Sequence, residues 1–299
     1  MKRVLLRPTA DLVFKRIFGK EKEIAIEFIN LFINPPKPVV DITFLEQEML
    51  AELRFGKVSV VDVRCTDSNN QHFILEMQVV HHDGFLDRQL LYACKAYDQQ
   101  FTSGLKYKDR QPVYLLTIIE QVILPDTALW LHAFSFKHEE LDHISIPGLH
   151  IRVLELGKRK KMGNFNMENA ADRWMAFLAE PEKLINMPKF DISVYPNLMK
   201  AVEILDKSNF TPGQQIAYTN HLFAVADINE SRMESFDKGY DEGMEKGINT
   251  GKMAGIQEGL QLSISIFKEF QSGLLSHEEI ALKYSITVQE VEKLDKIVF

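Results

Sequence analysis

The most restrictive feature of the sequence is a short apolar segment near its middle. Residues 113–119 read Val-Tyr-Leu-Leu-Thr-Ile-Ile, so six of the seven side chains are apolar or aromatic. A strand with one face in water alternates apolar and polar residues, whereas a strand that is covered on both faces does not. The segment therefore predicts a central strand of a sheet with further structure packed on each face.

More strands are predicted on both sides of this segment. Residues 57–66 are rich in β-branched side chains, residues 72–80 are largely apolar, and the intervening Asp-Ser-Asn-Asn-Gln has the composition of a turn. The two segments are therefore predicted to form an antiparallel hairpin. Two other β segments are expected near residues 131–136 and 149–156.

Helical patterns surround the predicted strands. Residues 11–18 and 20–32 have apolar side chains at helical spacing, with Thr9 or Asp11 as the predicted N-cap and Gly19 at the end of the first helix. Residues 85–101 predict another helix. From about Asn166 the pattern stays helical to the end, so the chain is predicted to be an α/β protein. It would combine a mixed sheet flanked by helices with an all-helical C-terminal region.

Two acidic residues lie in the predicted hairpin. If its loop is symmetric about Asn69, Asp62 and Glu76 stand directly opposite and project from the same face, which Gln78 shares. Carboxylates among apolar strand residues are costly unless they are paired or bound to metal. Magnesium takes one or two carboxylates, keeps several waters and binds substrate phosphate. The alternative is that the two carboxylates bond to Arg64, Arg88 or the backbone at a sheet edge.

The tail contains a repeat of glycine every fourth residue, from Gly239 to Gly259, and five of these six glycines precede an apolar residue. Each glycine costs a helix about 0.8–1.0 kcal/mol relative to alanine, so a solitary helix is disfavoured. Close packing against a second copy of the helix would offset this cost, which predicts a homodimer or a higher homo-oligomer. The alternative is a flexible charged linker.

Composition narrows the class of protein further. An apolar fraction of 45% and a charged fraction of 26% are typical of a globular chain. No apolar segment approaches the roughly 18 to 20 residues that span a bilayer, and the start lacks a signal-peptide core, so no membrane partner and a cytoplasmic location are expected. The net charge of −7 is concentrated after residue 230, which leaves a basic DNA-binding groove possible elsewhere.

The ordered set of motifs resembles the PD-(D/E)XK nuclease superfamily, and more closely its recombination-promoting nuclease (Rpn) and putative transposase family. The matching text is PTADLVFKRIFG at residues 8–19, SVVDV at 59–63, ILEMQV at 74–79 and FLDR at 85–88. The strand end at residues 155–158 and the glycine-spaced charged tail also match. The resemblance covers nearly the whole chain.

This resemblance implies a DNA endonuclease that hydrolyses phosphodiester bonds with a magnesium-activated water. Its predicted catalytic residues are Asp62, Glu76 and Gln78, and the first two would be the metal ligands. Lysine is typical at the position of Gln78; it would orient water and stabilise negative charge, whereas glutamine brings no charge. Four residues are candidates for the rim of the site, with packing or capping as the alternative role: Asp11, Arg88, Gln89 and Tyr92.

Other polar segments are open to two interpretations each. The basic run Lys158-Arg159-Lys160-Lys161 suits contact with DNA phosphates or a solvated loop. His81 and His82 suit a phosphate or metal contact or a solvated turn. Two short helices, capped at Ser276 and Thr287, have the spacing of a helix-turn-helix, but the acidic second helix favours a packing or oligomer role.

The sequence thus predicts four parts: a nuclease-like domain at residues 1–160, a helical region at 161–235, a glycine-repeat helix or linker at 236–270 and a short helical pair at 271–299. The alternative function, suggested by Gln78, is a catalytically weak or inactive protein that binds DNA or oligomerises on a nuclease fold.

Overall fold

A computed structural model describes residues 4–45, 61–80, 84–100, 106–141, 143–163 and 165–298. The first residues of the predicted hairpin (57–60) and the two histidines after it (81 and 82) lie outside this set. The chain divides into two compact units, with the boundary between Asp227 and Ile228.

The first unit contains a mixed sheet, as predicted. Within the described residues it has six strands in the order β1-β2-β3-β4-β6-β5. The pairs β3/β4 and β4/β6 are parallel, and the other neighbours are antiparallel. The strands are β1 Ile42–Phe44, β2 Val63–Asp67, β3 His72–Gln78, β4 Val113–Ile119, β5 Leu131–Lys137 and β6 Ser145–Glu155.

Strand β4 is the central, fully buried strand that its apolar sequence predicted. All seven of its residues are buried, between parallel neighbours on both sides. Alternate side chains enter two separate cores. Tyr114, Leu116 and Ile118 belong to one cluster, and Val113, Leu115 and Ile119 belong to the other.

Helices cover both faces of the sheet in this unit. The larger core joins the sheet to α1, α2, α5 and α7, where the rings of Phe14, Phe18, Phe28 and Trp174 have centroids 4.6–6.1 Å apart. Helix α3 packs on the other core. The helices are α1 Asp11–Phe18, α2 Lys22–Phe32, α3 Phe85–Asp98, α4 Leu156–Met162, α5 Ala170–Ala179, α6 Pro181–Ile185 and α7 Pro196–Ile204.

Helix α1 begins differently from the prediction. Its N-cap is Ala10, which makes no side-chain capping bond, and Asp11 is already helical. The Thr9 hydroxyl donates instead to the Glu120 carboxylate, which Arg7 also binds at 2.9 Å. The predicted cap at Thr9 or Asp11 was wrong, because Ala10 occupies the N-cap position. The predicted end at Gly19 is confirmed.

A single long helix, α8 Pro212–Ser272, includes the glycine repeat. In the second unit its last turns pack on α9 His277–Tyr284 and α10 Val288–Val298 around Ile266, Ile280 and Val291. Both predicted caps are present, since the hydroxyls of Ser276 and Thr287 each accept a backbone N–H three residues on. No helix in the described part of the chain is long and apolar enough to cross a membrane.

Candidate active site

The hairpin β2–β3 places Asp62 beside Glu76, as the sequence predicted. Val63 pairs with Leu75, and the register is symmetric about Asn69. The turn is fixed by Asp67, whose Oδ1 accepts the N–H groups of Asn69 and Gln71 at 2.9 and 2.8 Å. Local turn chemistry therefore sets the register on which the carboxylate pair depends.

Each carboxylate accepts a backbone N–H from the facing part of the hairpin. The Asp62 N–H donates to Glu76 Oε2 at 3.0 Å, and the Met77 N–H donates to Asp62 Oδ2 at 2.7 Å. The backbone bonds that the sequence left as an alternative are thus present. They hold the two side chains in fixed positions against the sheet.

Burial makes this pair electrostatically unusual. Asp62 is 7% exposed and Glu76 is 3% exposed. Burial raises the pKa of Asp62 to about 6, against the opposing effect of the Met77 N–H. Burial, followed by the charge of Asp62, raises the pKa of Glu76 to about 8. Two adjacent buried acids resist being ionised at the same time, and a bound cation would stabilise the form in which both are charged.

Gln78 connects the pair to α3. Its Nε2 donates to Glu76 Oε1 at 2.7 Å, and its Oε1 accepts from Arg88 Nη2 at 2.6 Å. The Arg88 guanidinium also lies 5.9 Å from the centre of the Tyr92 ring. Arg88 and Tyr92 therefore stand at the predicted site, and Arg88 reaches Glu76 through the amide of Gln78.

Helix α1 brings two more charges to the same place. Lys15 Nζ lies 2.6 Å from Asp11 Oδ1 and 3.2 Å from Asp62 Oδ1. Partial burial opposes the charge of Lys15, but its contacts with Asp11 and Asp62 raise its pKa above the ordinary value. Asp11 was predicted for the rim, whereas Lys15 was missed. The available signal was its spacing of four residues from Asp11, which puts both on one helix face.

Gln89 occupies a different place from the other rim candidates. It is fully buried between α3 and β4, where its Oε1 accepts from the Thr117 hydroxyl at 2.5 Å. The packing role that the sequence left as an alternative fits this position. The structure brings the remaining predicted residues together: Asp11, Asp62, Glu76, Gln78, Arg88 and Tyr92.

The basic run lies on α4, where its first two side chains turn inward. Lys158 forms an ion pair with Glu155, which His132 also binds at 2.7 Å, and Arg159 pairs with Asp172 at 2.7 Å. Lys158 and Arg159 are buried. Their side chains are enclosed by internal partners, which is at odds with the predicted DNA contact. Phosphate contact is left to Lys160, which is half-buried, and Lys161, which is exposed.

The carboxylate pair fits a magnesium ion. Within the residues described, no three or more His, Cys, Asp or Glu side chains gather into a ready metal cluster. Magnesium does not require such a cluster, because it is commonly held by one or two carboxylates with water and substrate phosphate. Asp62 and Glu76 are the side chains that would hold it, since each is a buried oxygen donor whose charge the other disfavours.

A mixed sheet with helices on both faces and a carboxylate pair in its hairpin is typical of the PD-(D/E)XK nuclease class. The chain belongs to the PD-(D/E)XK nuclease family transposases, whose sequence model matches residues 8–234. The resemblance found in the sequence motifs is thereby confirmed. No curated protein and no solved structure matches the chain.

Proposed function

We propose that this protein is a magnesium-dependent DNA endonuclease of the recombination-promoting type that acts in the cytoplasm. The observation that carries the proposal is the buried pair of Asp62 and Glu76, each held by a backbone N–H of the hairpin in a nuclease-family sheet. The family supports nuclease or transposase-like action. The ion and the substrate are inferred from the chemistry of the two carboxylates.

The reaction is hydrolysis of a phosphodiester. A water oxygen bonds to phosphorus, the bond from phosphorus to one ester oxygen breaks, and that oxygen takes up a proton as the water loses one. Magnesium, when bound, would supply an activated water and positive charge. Asp62 and Glu76 would hold the ion, and Gln78 would orient the water through an amide that Arg88 keeps in place.

The experiment is cleavage of supercoiled plasmid by the purified protein with magnesium or with chelator. We expect Asp62→Ala and Glu76→Ala each to lower magnesium-dependent cleavage by more than 100-fold. Without metal, their melting temperatures should equal or exceed the wild-type value, because repulsion within the buried pair is relieved. Asp41→Ala is the matched control, since Asp41 is an exposed carboxylate that pairs with Lys22 at 2.8 Å.

A different outcome favours a different function. Marked unfolding of both alanine variants would indicate that the pair serves stability. Plasmid binding with no cleavage in magnesium or manganese would support the alternative, a protein that binds DNA on a nuclease fold and lacks catalysis because Gln78 brings no charge.

We also propose that two copies associate through α8. On this helix the apolar row beside the glycines, Tyr240, Met244, Ile248, Ile256 and Leu260, is between 50% and 62% exposed. Apart from the helix's own neighbouring residues, no described atom lies within 4 Å of a Cβ placed on any of the six repeat glycines. A second helix has room to approach this surface closely and bury the row. Dimerisation would place two nuclease sites on one DNA duplex.

A further inference from the structure

Gln78 leaves the proposed active site without the positive charge that a lysine would bring. A scissile phosphate carries a negative charge, and it must approach two acidic side chains. Hydrolysis adds further negative charge to the phosphate oxygens, so a nearby fixed cation stabilises the transition state. Glutamine orients water through hydrogen bonds but does not supply this charge.

Helix α1 places a lysine beside the carboxylate pair. Lys15 Nζ contacts Asp62 Oδ1 at 3.2 Å, and its side chain is 27% exposed, so the side chain is partly open to solvent beside the carboxylate pair. The opposite side of α1 is anchored in the core through Val13, Phe14 and Ile17, which are fully buried. The helix therefore fixes where Lys15 lies relative to the carboxylate pair.

The simplest explanation for the position of Lys15 is an ordinary ion pair with Asp11 on one helix face. Such exposed pairs stabilise a helix weakly. The contact of Lys15 with a second, buried carboxylate from another element goes beyond this explanation. Arg88 is also positively charged, but its Nη2 contacts the Gln78 amide oxygen at 2.6 Å, whereas Lys15 contacts the Asp62 carboxylate itself.

We propose that Lys15 is a catalytic residue that supplies from α1 the positive charge that position 78 lacks. It contacts the scissile phosphate and stabilises the charge that develops there, while Gln78 orients the water. This inference rests on the proposed nuclease function and assigns the site a residue from a separate part of the sequence, 47 positions before Asp62.

The test compares Lys15→Gln with Lys15→Arg in the full chain, with Lys22→Gln as the matched control. Lys22 also forms a lysine–aspartate ion pair, but on α2 and with Asp41. We expect Lys15→Gln to lower the single-turnover cleavage rate by at least 100-fold. Lys15→Arg should stay within tenfold of wild type, and Lys22→Gln within twofold. Metal-free DNA affinity should change less than fivefold in all three variants.

A second arm tests the same residue without cleavage. Because Lys15 competes with a divalent ion for Asp62, Lys15→Gln should bind Mn²⁺ at least twofold more tightly in calorimetry without DNA. A third arm uses a double-variant cycle. The ratio of the cleavage rates with and without Gln78→Lys should be at least five times larger in the Lys15→Gln background than in the wild-type background. The reason is that either lysine would supply the same positive charge.

Three results would overturn the inference alone: a Lys15→Gln rate within threefold of an active wild type, weaker or unchanged Mn²⁺ binding, or equal effects of Gln78→Lys in both backgrounds. Absence of any cleavage by the wild-type protein would instead overturn the proposed function, and the inference with it. The wild-type measurement alone distinguishes the two failures.

Discussion

At the scale of single residues, the protonation of Glu76 should affect the stability of the metal-free protein. Its pKa is raised from 4.5 to about 8 by burial and by Asp62. The folded state therefore binds more protons than the unfolded state between pH 4.5 and 8. Unfolding free energy should fall as the pH rises through this window, by at most about 1.4 kcal/mol per pH unit for one proton.

Thermal unfolding in chelator at pH 5 and pH 8 measures this effect. We expect Glu76→Gln to melt higher than wild type at pH 8 and close to wild type at pH 5, because glutamine occupies the same space without a charge. Glu23→Gln, on α2, is the control for losing one acid. A wild-type protein whose advantage over Glu76→Gln grows toward pH 8 would contradict the assigned direction.

The residues that the sequence could predict are those set by local chemistry. Asp67 fixes the turn, the turn fixes the register, and the register puts Asp62 beside Glu76. Lys15 could not be found this way, since its contact with Asp62 depends on how α1 packs against the hairpin. The inward turn of Lys158 likewise depends on Glu155 and His132, which come from two different strands.

At the scale of elements, α4 divides its basic residues between two roles. Lys158 is buried against Glu155, and its Nζ also donates to the Leu124 carbonyl at 2.6 Å. Removing one partner from a buried ion pair costs about 3–5 kcal/mol. We expect Lys158→Met to lower the unfolding free energy by this order in denaturant titrations.

The other two lysines of α4 should behave in the opposite way. Lys160→Gln combined with Lys161→Gln should leave stability unchanged and weaken DNA binding. It should also reduce the slope of log affinity against log salt by about 0.9 for each DNA phosphate that these lysines neutralise in the wild-type protein. Fluorescence anisotropy over a salt series measures both quantities. A slope equal to that of wild type would remove α4 from the DNA interface.

Secondary-structure elements were predictable from the sequence where the order of apolar and polar residues follows directly from burial. Six of the seven residues of β4 are apolar or aromatic because the strand contributes side chains to two cores, and this pattern is visible in the sequence. The start of α1 was not predictable in the same way. Thr9 has the right side chain for a cap, but it precedes the N-cap residue, and its hydroxyl donates to the Glu120 carboxylate 111 residues away in the sequence.

At the scale of the whole molecule, the first compact unit extends past residue 160, where the sequence pattern predicted the end of the nuclease-like domain. Trp174, Phe177 and Leu198 lie in the same core as Phe14 and Phe28, so the helices after residue 160 complete the core of the first unit. The family match to residue 234 agrees with this extent more closely than with an end at 160. A sequence pattern marks where strands stop, but it does not show which helices later return to cover them.

Beyond residue 235, α8 gives a prediction about the assembled protein. We expect the intact chain to be a dimer at micromolar concentration by light scattering, and a chain ending at Ser235 to be a monomer. Monomeric behaviour of the intact protein would leave the glycine repeat without a packing role. Equal dimerisation of the shortened chain would place the interface elsewhere.

Point variants separate close packing from helix stability in this region. A Cβ added at Gly247 or Gly251 meets no described atom within 4 Å apart from the helix's own neighbouring backbone, so we expect the lone helix to accommodate Gly247→Leu and Gly251→Leu. Leucine also favours a helix over glycine by somewhat under 1 kcal/mol, so helix content should rise or stay constant in circular dichroism.

If two helices approach at the glycines, the same variants should lose the dimer, because a branched side chain keeps the backbones apart. Alanine at both positions should weaken dimerisation less than leucine. Leucine variants that dimerise like wild type would show that α8 associates through another face or not at all.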